Sequence, residues 1–539
     1  MYIDVVPNRK SSPAILLREA RREGKKIVKI TLANISNYSP ERIDVLRRTL
    51  RGDFDHLAYS KTPTVLQQGP SYGAIFVTKV LCERLGIIRA LGNNLYTPFV
   101  LLMIAARLVE PGSKLATVRW ATAHAVNEIL GIDSDAFDEN NLYRTLAWLD
   151  TNQSKIEKRL FQQRYGKTST PDLFLYDVTS SYLEGIENEL ADYGYNRDKK
   201  QGKKQIVIGM LTDINGDPVA VRVFDGNTSD TSTVPDQICI LAKQFKVQRI
   251  TLVGDKGMLR GPQIKQLSAA QFNYITAISK SEILAMLSKG KIQLSLFDET
   301  ITSMTDIQSG IRYILRRNPE RCRQVRENRN IRIGKINEFA SSQTSYLSGS
   351  LKRNSEVALR NVTNKINLYN LAKIVKASID DRRIIIDVDE NARSNTEILD
   401  GCYVIKSDLP KESITDNQIH DRYKDLSKVE NIFKTIKTGL LEIRPLFLRR
   451  ADHTRGHVFM VMLSYIVVRE IEKAIPNLEA TTKDLMSDLD RMCIQYQRID
   501  QDLRITRIPE PSEAQSEILR ALQIEIPEAI CVPMDNKIA

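Results

Sequence analysis

The segment after Pro171 alternates strand-forming runs with helical runs, and this order restricts the fold more than any other feature of the chain. Three strand-like runs come first, LFLYDVTSSYLEG, QIVIGMLT and VAVRVF, and Asn215-Gly216 between the second and third predicts a β-hairpin. A helical run, a short apolar strand, a second helical run and a further strand then follow: TVPDQICILAKQF, RITLVGDKG, GPQIKQLSAAQ and FNYITAIS. The order predicts a sheet with an antiparallel start, followed by parallel strands joined by helical crossovers.

A sheet of this order is a ribonuclease-H-like core, and a final helix completes it as β-β-β-α-β-α-β-α. We therefore predict an α/β fold in which this core is interrupted by an insertion domain and preceded by a helical N-terminal domain. The predicted domains are, in chain order, a small basic module at 1–60, a helical and candidate DNA-binding domain at 61–165, the first part of the core at 166–280, the insertion domain at 281–410, the second part of the core at 411–475, and a segment without a predicted role at 476–539.

The charge of the chain favours a polyanionic partner. Among 539 residues, 78 Lys and Arg exceed 66 Asp and Glu, which gives a net charge of +12. Nucleic acid is the commonest partner of such a chain, although an excess spread over this length is a weak indication by itself. The basic loop NRDKKQGKKQ is a candidate phosphate contact, and a solvated loop is equally compatible with its composition.

The cysteines, the histidines and the apolar runs argue against several other classes. The six cysteines lack the CxxC spacing of zinc sites and any disulfide framework, which fits a reducing, cytoplasmic location. His453 and His457 have the i, i+4 spacing of zinc ligands, but no HExxH motif accompanies them, so we interpret them as packed histidines. The apolar stretch from Val458 to Val468 is too short to span a bilayer, so we expect no membrane association.

Two acidic residues occupy unusual positions in the predicted sheet. Asp177 lies inside the first strand, among apolar neighbours, where a carboxylate is costly to bury alone. Asp255 closes the fourth strand at its carboxyl end, where functional groups of open α/β sheets gather. Because the first and fourth strands are neighbours in a ribonuclease-H-like sheet, the two acids should lie side by side and require a cation or a retained proton. The nearby acids for which hairpin or loop roles are preferred are Asp217, Asp225 and Asp230.

A third acid is expected from a helix that packs over the sheet. Apolar residues at helical spacing predict its buried stripe, namely Val429, Ile432, Phe433, Ile436 and Leu440. Tyr423, Glu430 and Lys437 recur every seven residues (430 − 423 = 7 and 437 − 430 = 7) and should line a second face of the same helix. An ordinary amphipathic surface helix has the same pattern, so the prediction for Glu430 depends on the two strand acids.

Three convergent carboxylates suit metal-dependent cleavage of a phosphodiester. That reaction needs an activated nucleophile and charge stabilisation on two oxygens, which two Mg²⁺ ions about 4 Å apart supply. Mg²⁺ takes hard oxygen ligands and keeps several waters, so two or three carboxylates suffice. We predict that Asp177, Asp255 and Glu430 are catalytic and hold two Mg²⁺ ions, for which Mn²⁺ would substitute.

Three segments, YDVTSSYLEG, TLVGDKG and YKDLSKVENIFKTIKTGLLEIRP, together resemble the three catalytic blocks of bacterial DDE transposases. The similarity is to the insertion-sequence-four superfamily, and within it to the sixteen-thirty-four group, over most of residues 1–475. The superfamily signature is Tyr, two residues, Arg, three residues, Glu, six residues and Lys. Tyr423, Glu430 and Lys437 match it, whereas Leu426 stands at the Arg position. The 175 residues that separate Asp255 from Glu430 (430 − 255 = 175) leave room for the insertion that family members carry.

The resemblance implies an enzyme that hydrolyses DNA at transposon ends and transfers the freed 3′-hydroxyl into target DNA. Its partners would be terminal inverted repeats and target DNA, with a homodimer in the synaptic complex, in the bacterial cytoplasm at the nucleoid. Lys424 and Lys428 are candidates to replace the missing Arg. The side chains expected to contact DNA are Tyr423, Lys437, Lys434 and Arg444.

Two other functions remain open from the sequence. One is a ribonuclease-H-like nuclease that cuts DNA without strand transfer. The other is a non-catalytic DNA-binding protein descended from a transposase. Retention of three acids disfavours the second, because a retired site has no physical need for convergent charges.

Overall fold

The computed structural model describes residues 1–8, 12–53, 65–166, 171–198, 200–248, 250–297, 301–437, 439–443, 446–476, 479–498 and 504–527. The chain divides into two compact units. The smaller unit comprises Met1–Tyr72, Arg491–Ser512 and Ile526–Ala539, and the larger unit comprises Gly73–Asp490 and Glu513–Glu525. Of the helices in the described ranges, none combines the length and the apolar character that a bilayer crossing requires.

The strands, in chain order, are β1 (Tyr2–Val6), β2 (Ala14–Glu23), β3 (Lys26–Asn34), β4 (Val65–Ser71), β5 (Leu173–Tyr182), β6 (Gln205–Asp213), β7 (Pro218–Phe224), β8 (Thr251–Gly254), β9 (Asn273–Ala277), β10 (Thr302–Thr305), β11 (Arg312–Arg317), β12 (Val375–Asp380), β13 (Arg383–Val388), β14 (Cys402–Ser407), β15 (Cys493–Arg498) and β16 (Arg504–Arg507).

The α-helices are α1 (Pro40–Arg51), α2 (Gly73–Arg84), α3 (Ile87–Leu91), α4 (Thr97–Val109), α5 (Lys114–Thr122), α6 (Val126–Leu130), α7 (Glu139–Tyr165), α8 (Asp230–Cys239), α9 (Gly261–Ala269), α10 (Lys280–Ser288), α11 (Pro319–Ser348), α12 (Ser355–Leu368), α13 (Glu390–Glu397), α14 (Asp416–Lys424), α15 (Leu426–Lys437), α16 (Ala451–Ala474), α17 (Thr482–Asp490) and α18 (Glu513–Ala521). A π-helical turn, Ile240–Gln244, continues α8, and short 3₁₀ turns occupy Ser134–Ala136 and Leu294–Phe297.

The smaller unit contains two antiparallel sheets and helix α1. β1, β2 and β3 form the first sheet in that order, and the second has the order β16-β15-β4. In the second sheet Tyr496 of β15 pairs with Gln67 of β4. The C-terminal segment, for which the sequence predicts no role, therefore supplies two strands that join a strand from the first part of the chain.

The larger unit is organised around a mixed sheet of eight strands in the order β10-β11-β14-β9-β8-β5-β6-β7. β8 pairs in parallel with both β5 and β9, whereas the other neighbouring strands are antiparallel. Along the chain, β5, β6 and β7 precede the alternating elements α8, β8, α9, β9 and α10. The prediction of an α/β fold is confirmed, and the mixed sheet is consistent with the ribonuclease-H-like class.

The β6–β7 hairpin shows how local sequence directs the sheet. Gly216 has φ +81°, a backbone conformation that glycine adopts without steric cost. The side chain of Asp213 accepts hydrogen bonds of 2.9 Å from the backbone N–H groups of Asn215 and Asp217. β6 is buried along its whole length, as a central strand covered on both faces should be.

Residues 281–410, predicted as an insertion, contribute two kinds of structure. β10, β11 and β14 extend the central sheet, in which Ile405 of β14 pairs with Ala277 of β9. Between β11 and β14, α11, α12 and the β12–β13 hairpin enclose an apolar core of their own. Its buried members include Ile336, Val362, Ile366, Ile374 and Ile384. The strongly basic stretch from Arg316 to Lys335 forms the end of β11 and the first half of α11.

Helices α7 and α16 cross closely at Gly456. A methyl group at this position would lie 2.0 Å from the carbonyl oxygen of Leu146 in α7. We expect Gly456→Ala to lower the free energy of unfolding by about 2 kcal/mol, because one helix must shift to accommodate the methyl group. Urea denaturation followed by circular dichroism measures this change.

Gly334→Ala in α11 is the matched control for Gly456→Ala. A methyl group at Gly334 meets no atom within 4 Å among the residues described. This change should raise the free energy of unfolding by roughly 0.5 kcal/mol, because alanine favours a helix interior over glycine. Equal changes in the free energy of unfolding for the two substitutions would contradict the close contact of α7 and α16 at Gly456.

Candidate active site

The two strand acids lie next to each other on neighbouring strands. Asp177 is in the middle of β5, and Asp255 directly follows β8. β5 and β8 pair in parallel with Tyr176 opposite Gly254, so each acid stands one residue beyond this pair. Adjacent strands are about 4.8 Å apart. The sheet therefore brings the two carboxylates to the same edge region, as the sequence led us to expect.

Glu430 reaches this region from α15, which packs over the sheet. The apolar face of the helix is buried through Leu426, Val429, Ile432, Phe433 and Ile436. Glu430 itself is exposed and lines the same cleft as the two strand acids. The cleft has a volume of about 750 Å³. The buried stripe predicted from helical spacing thus positions the third acid.

The prediction that Tyr423, Glu430 and Lys437 share one helix is wrong. The helical run is divided at Asp425, so that Tyr423 lies near the end of α14 and the other two residues lie in α15. At the break, the Lys428 N–H donates to the Asp425 carbonyl three residues earlier, and the Asp425 carboxylate pairs with Lys428 at 2.9 Å. This local three-residue hydrogen bond replaces the regular helical pattern.

Asp177 is the most perturbed acid of the cleft. Burial is the main reason that its pKa rises from 3.8 to about 7, and the charges of Asp255 and Glu430 raise the pKa further. The Val178 N–H, which donates to Asp177 Oδ1 at 2.8 Å, and the charge of Arg197 act in the opposite direction. The carboxylates of the cleft are thus close enough to interact electrostatically.

Tyr423 is brought to the acids although it is on a different helix from Glu430. Its hydroxyl donates to Asp255 Oδ1 at 3.2 Å. Burial raises the pKa of Tyr423 well above its usual value, and the neighbouring carboxylates, with Asp255 first, raise it further. The phenol is therefore neutral and serves as a hydrogen-bond donor at the edge of the cleft.

Arg197 and Asp230 also line the cleft, and their side chains form an ion pair. The sequence favours a hairpin or loop role for Asp230, and it does not indicate a role for Arg197 at the site. The only local signal for Arg197 is its place in the basic loop NRDKKQGKKQ, which gives no indication that it meets an acid 33 residues later. Only the folded chain brings this pair to the carboxylates.

The remaining predicted DNA contacts have different surroundings. The ammonium group of Lys437 lies 3.0 Å from the Asp198 carboxylate, and the two side chains are only 10% and 3% exposed. Lys434 is on the exposed side of α15, and Arg444 lies outside the described residues. Leu426, at the usual Arg position, is buried and borders the cleft. DNA contact by these cations stays a prediction.

The chemistry of the acids fits a hard divalent cation. Carboxylate oxygens are the ligands that Mg²⁺ and Mn²⁺ prefer, and the charges of Asp255 and Glu430 help to raise the pKa of Asp177. In the ranges that the structure describes, no group of three or more His, Cys, Asp or Glu side chains already has metal-ligand geometry.

The raised pKa of Asp177 predicts a pH dependence of stability. A carboxyl whose folded-state pKa lies above its unfolded value stabilises the fold when protonated, and this contribution is lost as pH rises through about 7. In EDTA, the difference in free energy of unfolding between Asp177→Asn and the wild type should shift in favour of the variant by about 3 kcal/mol between about pH 5 and about pH 8. Urea denaturation at several pH values measures it, and parallel pH profiles of the two proteins would contradict it.

The mixed sheet and its carboxylate-lined cleft define an α/β protein whose site suits metal-assisted chemistry. The family described as "Transposase DDE domain" matches residues 168–467, more than half of the chain, and this range includes Asp177, Asp255 and Glu430. The chain therefore belongs to the transposase DDE domain family.

Comparison with solved structures adds little to this assignment. A match is found to a structure described as "Cryo-EM structure of piggyBac transposase synaptic complex with hairpin DNA (SNHP)", at 11% identity and a TM-score of 0.36. The match covers 79% of this chain and 82% of that chain. At this TM-score, nothing further is concluded from the likeness. No match is found among curated proteins.

Proposed function

We propose that this chain is an active DDE transposase that cleaves DNA at transposon ends in a metal-dependent reaction and joins the freed 3′-hydroxyl to target DNA. The observation that carries the proposal is the convergence of Asp177, Asp255 and Glu430 on one cleft, within the range that matches the family. The finer ribonuclease-H-like order, with Glu430 on the last helix of the core, belongs to the same proposal.

The three carboxylates would hold two Mg²⁺ ions, for which Mn²⁺ would substitute. When bound, these ions supply an activated water and stabilise charge on the leaving oxygen. Asp177 is held in β5 by the Val178 N–H, and Asp255 is oriented by the Tyr423 hydroxyl. Arg197, together with Lys256 on the cleft wall, provides positive charge for a DNA phosphate.

The proposal includes partners and a setting. The DNA would be terminal inverted repeats and target DNA, with a homodimer in the synaptic complex and a bacterial cytoplasmic location. Membership of the insertion-sequence-four superfamily rests on the motif around Tyr423, Glu430 and Lys437. The net charge of +12 is compatible with a DNA partner.

The alternative function is DNA binding without catalysis. The two functions differ in whether a divalent ion changes what the protein does to DNA.

The proposed function is tested with the full-length protein, Mg²⁺ or Mn²⁺, and a labelled duplex that bears the inverted repeats flanking its coding region. Denaturing gels should show metal-dependent cleavage at the repeat end, and a plasmid target should acquire the labelled strand. Cleavage without joining would support a nuclease instead. Binding that is indifferent to metal, with no cleavage, would support the non-catalytic function.

A further inference from the structure

A second cavity of the larger unit, of about 230 Å³, is lined by basic groups that take no part in the acidic cleft. Its walls come from the end of α4, the start of α5, helices α7 and α16, and residues 442–443 and 446–448. We call it the basic pocket. The side chains that matter here are Arg107, Lys114, Tyr143, Glu442, Phe447 and His457.

Lys114 is the most unusual residue of the basic pocket. Its side chain is buried, with the residue only 6% exposed. Within the part of the chain that the structure describes, it has no hydrogen bond or ion pair. Burial first, and then the charge of Arg107, together lower the pKa of Lys114 to about 7. An ammonium group in this position is costly unless an anion joins it.

Two further polar groups of the pocket lack good partners. Arg107 is buried and, among the described residues, donates only long hydrogen bonds, of 3.3 Å, to the carbonyls of Leu441 and Gly112. His457 is also buried, and its Nδ1 finds no hydrogen-bond partner in the part of the chain that the structure describes. Glu442 is the acid of the pocket, and its charge counteracts the effect of burial on the pKa of Arg107. On this concave surface two cations, Arg107 and Lys114, face one acid, Glu442.

Helix α5 adds to the positive character of this surface. It begins at Lys114, with Ser113 as its N-cap. Backbone N–H groups at a helix N-terminus point outward and, with the helix dipole, favour an anion. The N-terminus of α5 and the buried cations Arg107 and Lys114 therefore all favour an anion in the basic pocket.

We propose that the basic pocket binds a phosphate group of the DNA backbone, an inference that rests on the proposed function. Its volume is below the roughly 300–1,000 Å³ of sites for drug-sized ligands, so it suits a phosphate rather than a whole nucleotide. Phe447 at the pocket is 71% exposed. An exposed aromatic ring beside a phosphate site is suited to stacking on a base, which favours nucleic acid over free phosphate.

A short stretch of extended chain connects the acids to the wall of the basic pocket. Leu446, in the pocket wall, forms a parallel bridge with Leu183 at the end of β5. Leu183 is six residues from Asp177 along an extended chain (183 − 177 = 6), or about 20 Å. That length equals about six base steps of duplex DNA. A duplex cut at the acids would thus extend as far as the basic pocket.

The test uses the full-length protein in EDTA, so that no cleavage occurs. Binding to a labelled random-sequence duplex of about 30 base pairs is measured by fluorescence anisotropy at several salt concentrations. Lys114→Met should lower the affinity about three- to tenfold and reduce the salt slope by about 0.9, as loss of one phosphate contact does. Lys155→Met, which removes the same charge from an exposed position of α7 outside the pocket, should bind like the wild type.

Stability separates a binding role from a structural one. Because Lys114 has no ion-pair partner among the described residues, Lys114→Met should melt at or above the wild-type temperature, whereas a structural role would lower the melting temperature. Lys114→Gln provides a second variant with a polar side chain. Inorganic phosphate alone should raise the melting temperature of the wild type and leave that of both variants unchanged.

The outcomes are distinct. If both Lys114 variants bind DNA with the affinity and salt slope of Lys155→Met, the inference is overturned. If they lose only the response to inorganic phosphate, the pocket binds free phosphate and the assignment to DNA is overturned. Failure of metal-dependent cleavage by the wild-type protein, in contrast, would overturn the proposed function, and the binding test in EDTA does not depend on that result.

Discussion

Glu430→Gln should reduce the rate of metal-dependent DNA cleavage by about 10³-fold, which corresponds to about 4 kcal/mol of transition-state stabilisation. The substitution keeps the shape of the side chain and its place on α15 but removes the charge that a divalent cation needs. Single-turnover cleavage of a repeat-bearing duplex measures the rate. DNA binding in EDTA should be unchanged or slightly stronger, because one negative charge has left the cleft.

The matched control for Glu430→Gln is Glu412→Gln. Glu412 is exposed and does not border the cleft, and its substitution removes the same charge. It should cleave like the wild type. If Glu430→Gln also cleaves within about threefold of the wild type, Glu430 is not the third metal ligand, since loss of one such charge costs far more.

Arg312→Met should lower the free energy of unfolding by about 3 kcal/mol, because it leaves buried partners of a charged group unpaired. Arg312 is 1% exposed and donates to the carbonyls of Leu409 and Ile414 at 3.1 Å and 2.9 Å. It also donates to the Asp416 carboxylate at 2.5 Å. Asp416 is the first residue of α14, so this arginine ties β11 to the helix that carries Tyr423.

Urea denaturation followed by circular dichroism measures the effect of Arg312→Met. Arg323→Met, at an exposed position of α11, is the control and should stay within about 0.5 kcal/mol of the wild type. Arg312→Met combined with Asp416→Asn should cost less than the sum of the two single changes, because they share one interaction. Equal stability of Arg312→Met and Arg323→Met would contradict the role of this arginine.

The parts of the fold that could be predicted are those with a local signal. Alternation of apolar residues, the Asn215-Gly216 turn and the short apolar strand before Asp255 predicted the first five strands of the central sheet. Asp177 and Asp255 could be predicted from the sequence because Asp177 interrupts an apolar strand and Asp255 directly follows another. Helix α15 could be predicted in the same way, from apolar residues that recur at helical spacing.

Other parts of the fold and of the site depend on contacts between residues far apart in the sequence, which a local sequence pattern cannot indicate. The break at Asp425 was missed because the apolar spacing continues across it. Pairing of β4 with β15 joins segments from opposite ends of the chain, and no local signal indicates it. Lys437 fitted a DNA-contact motif by spacing, yet its partner Asp198 comes from a loop more than two hundred residues earlier. No local sequence signal marks Lys114, because its burial without an anion among the described residues arises only from the folded arrangement of helices.

We propose that Asp255, together with Asp177 and Glu430, directly ligates the divalent ion that DNA cleavage requires. Cleavage by Asp255→Cys protein, compared in Mg²⁺ and in Mn²⁺, tests it most directly, because thiolate accepts the softer Mn²⁺ far better than Mg²⁺. The variant should be inactive in Mg²⁺ and recover measurable cleavage in Mn²⁺. Cleavage at the wild-type rate in Mg²⁺ would contradict the claim, since a ligand to that ion could not be replaced by sulfur without loss.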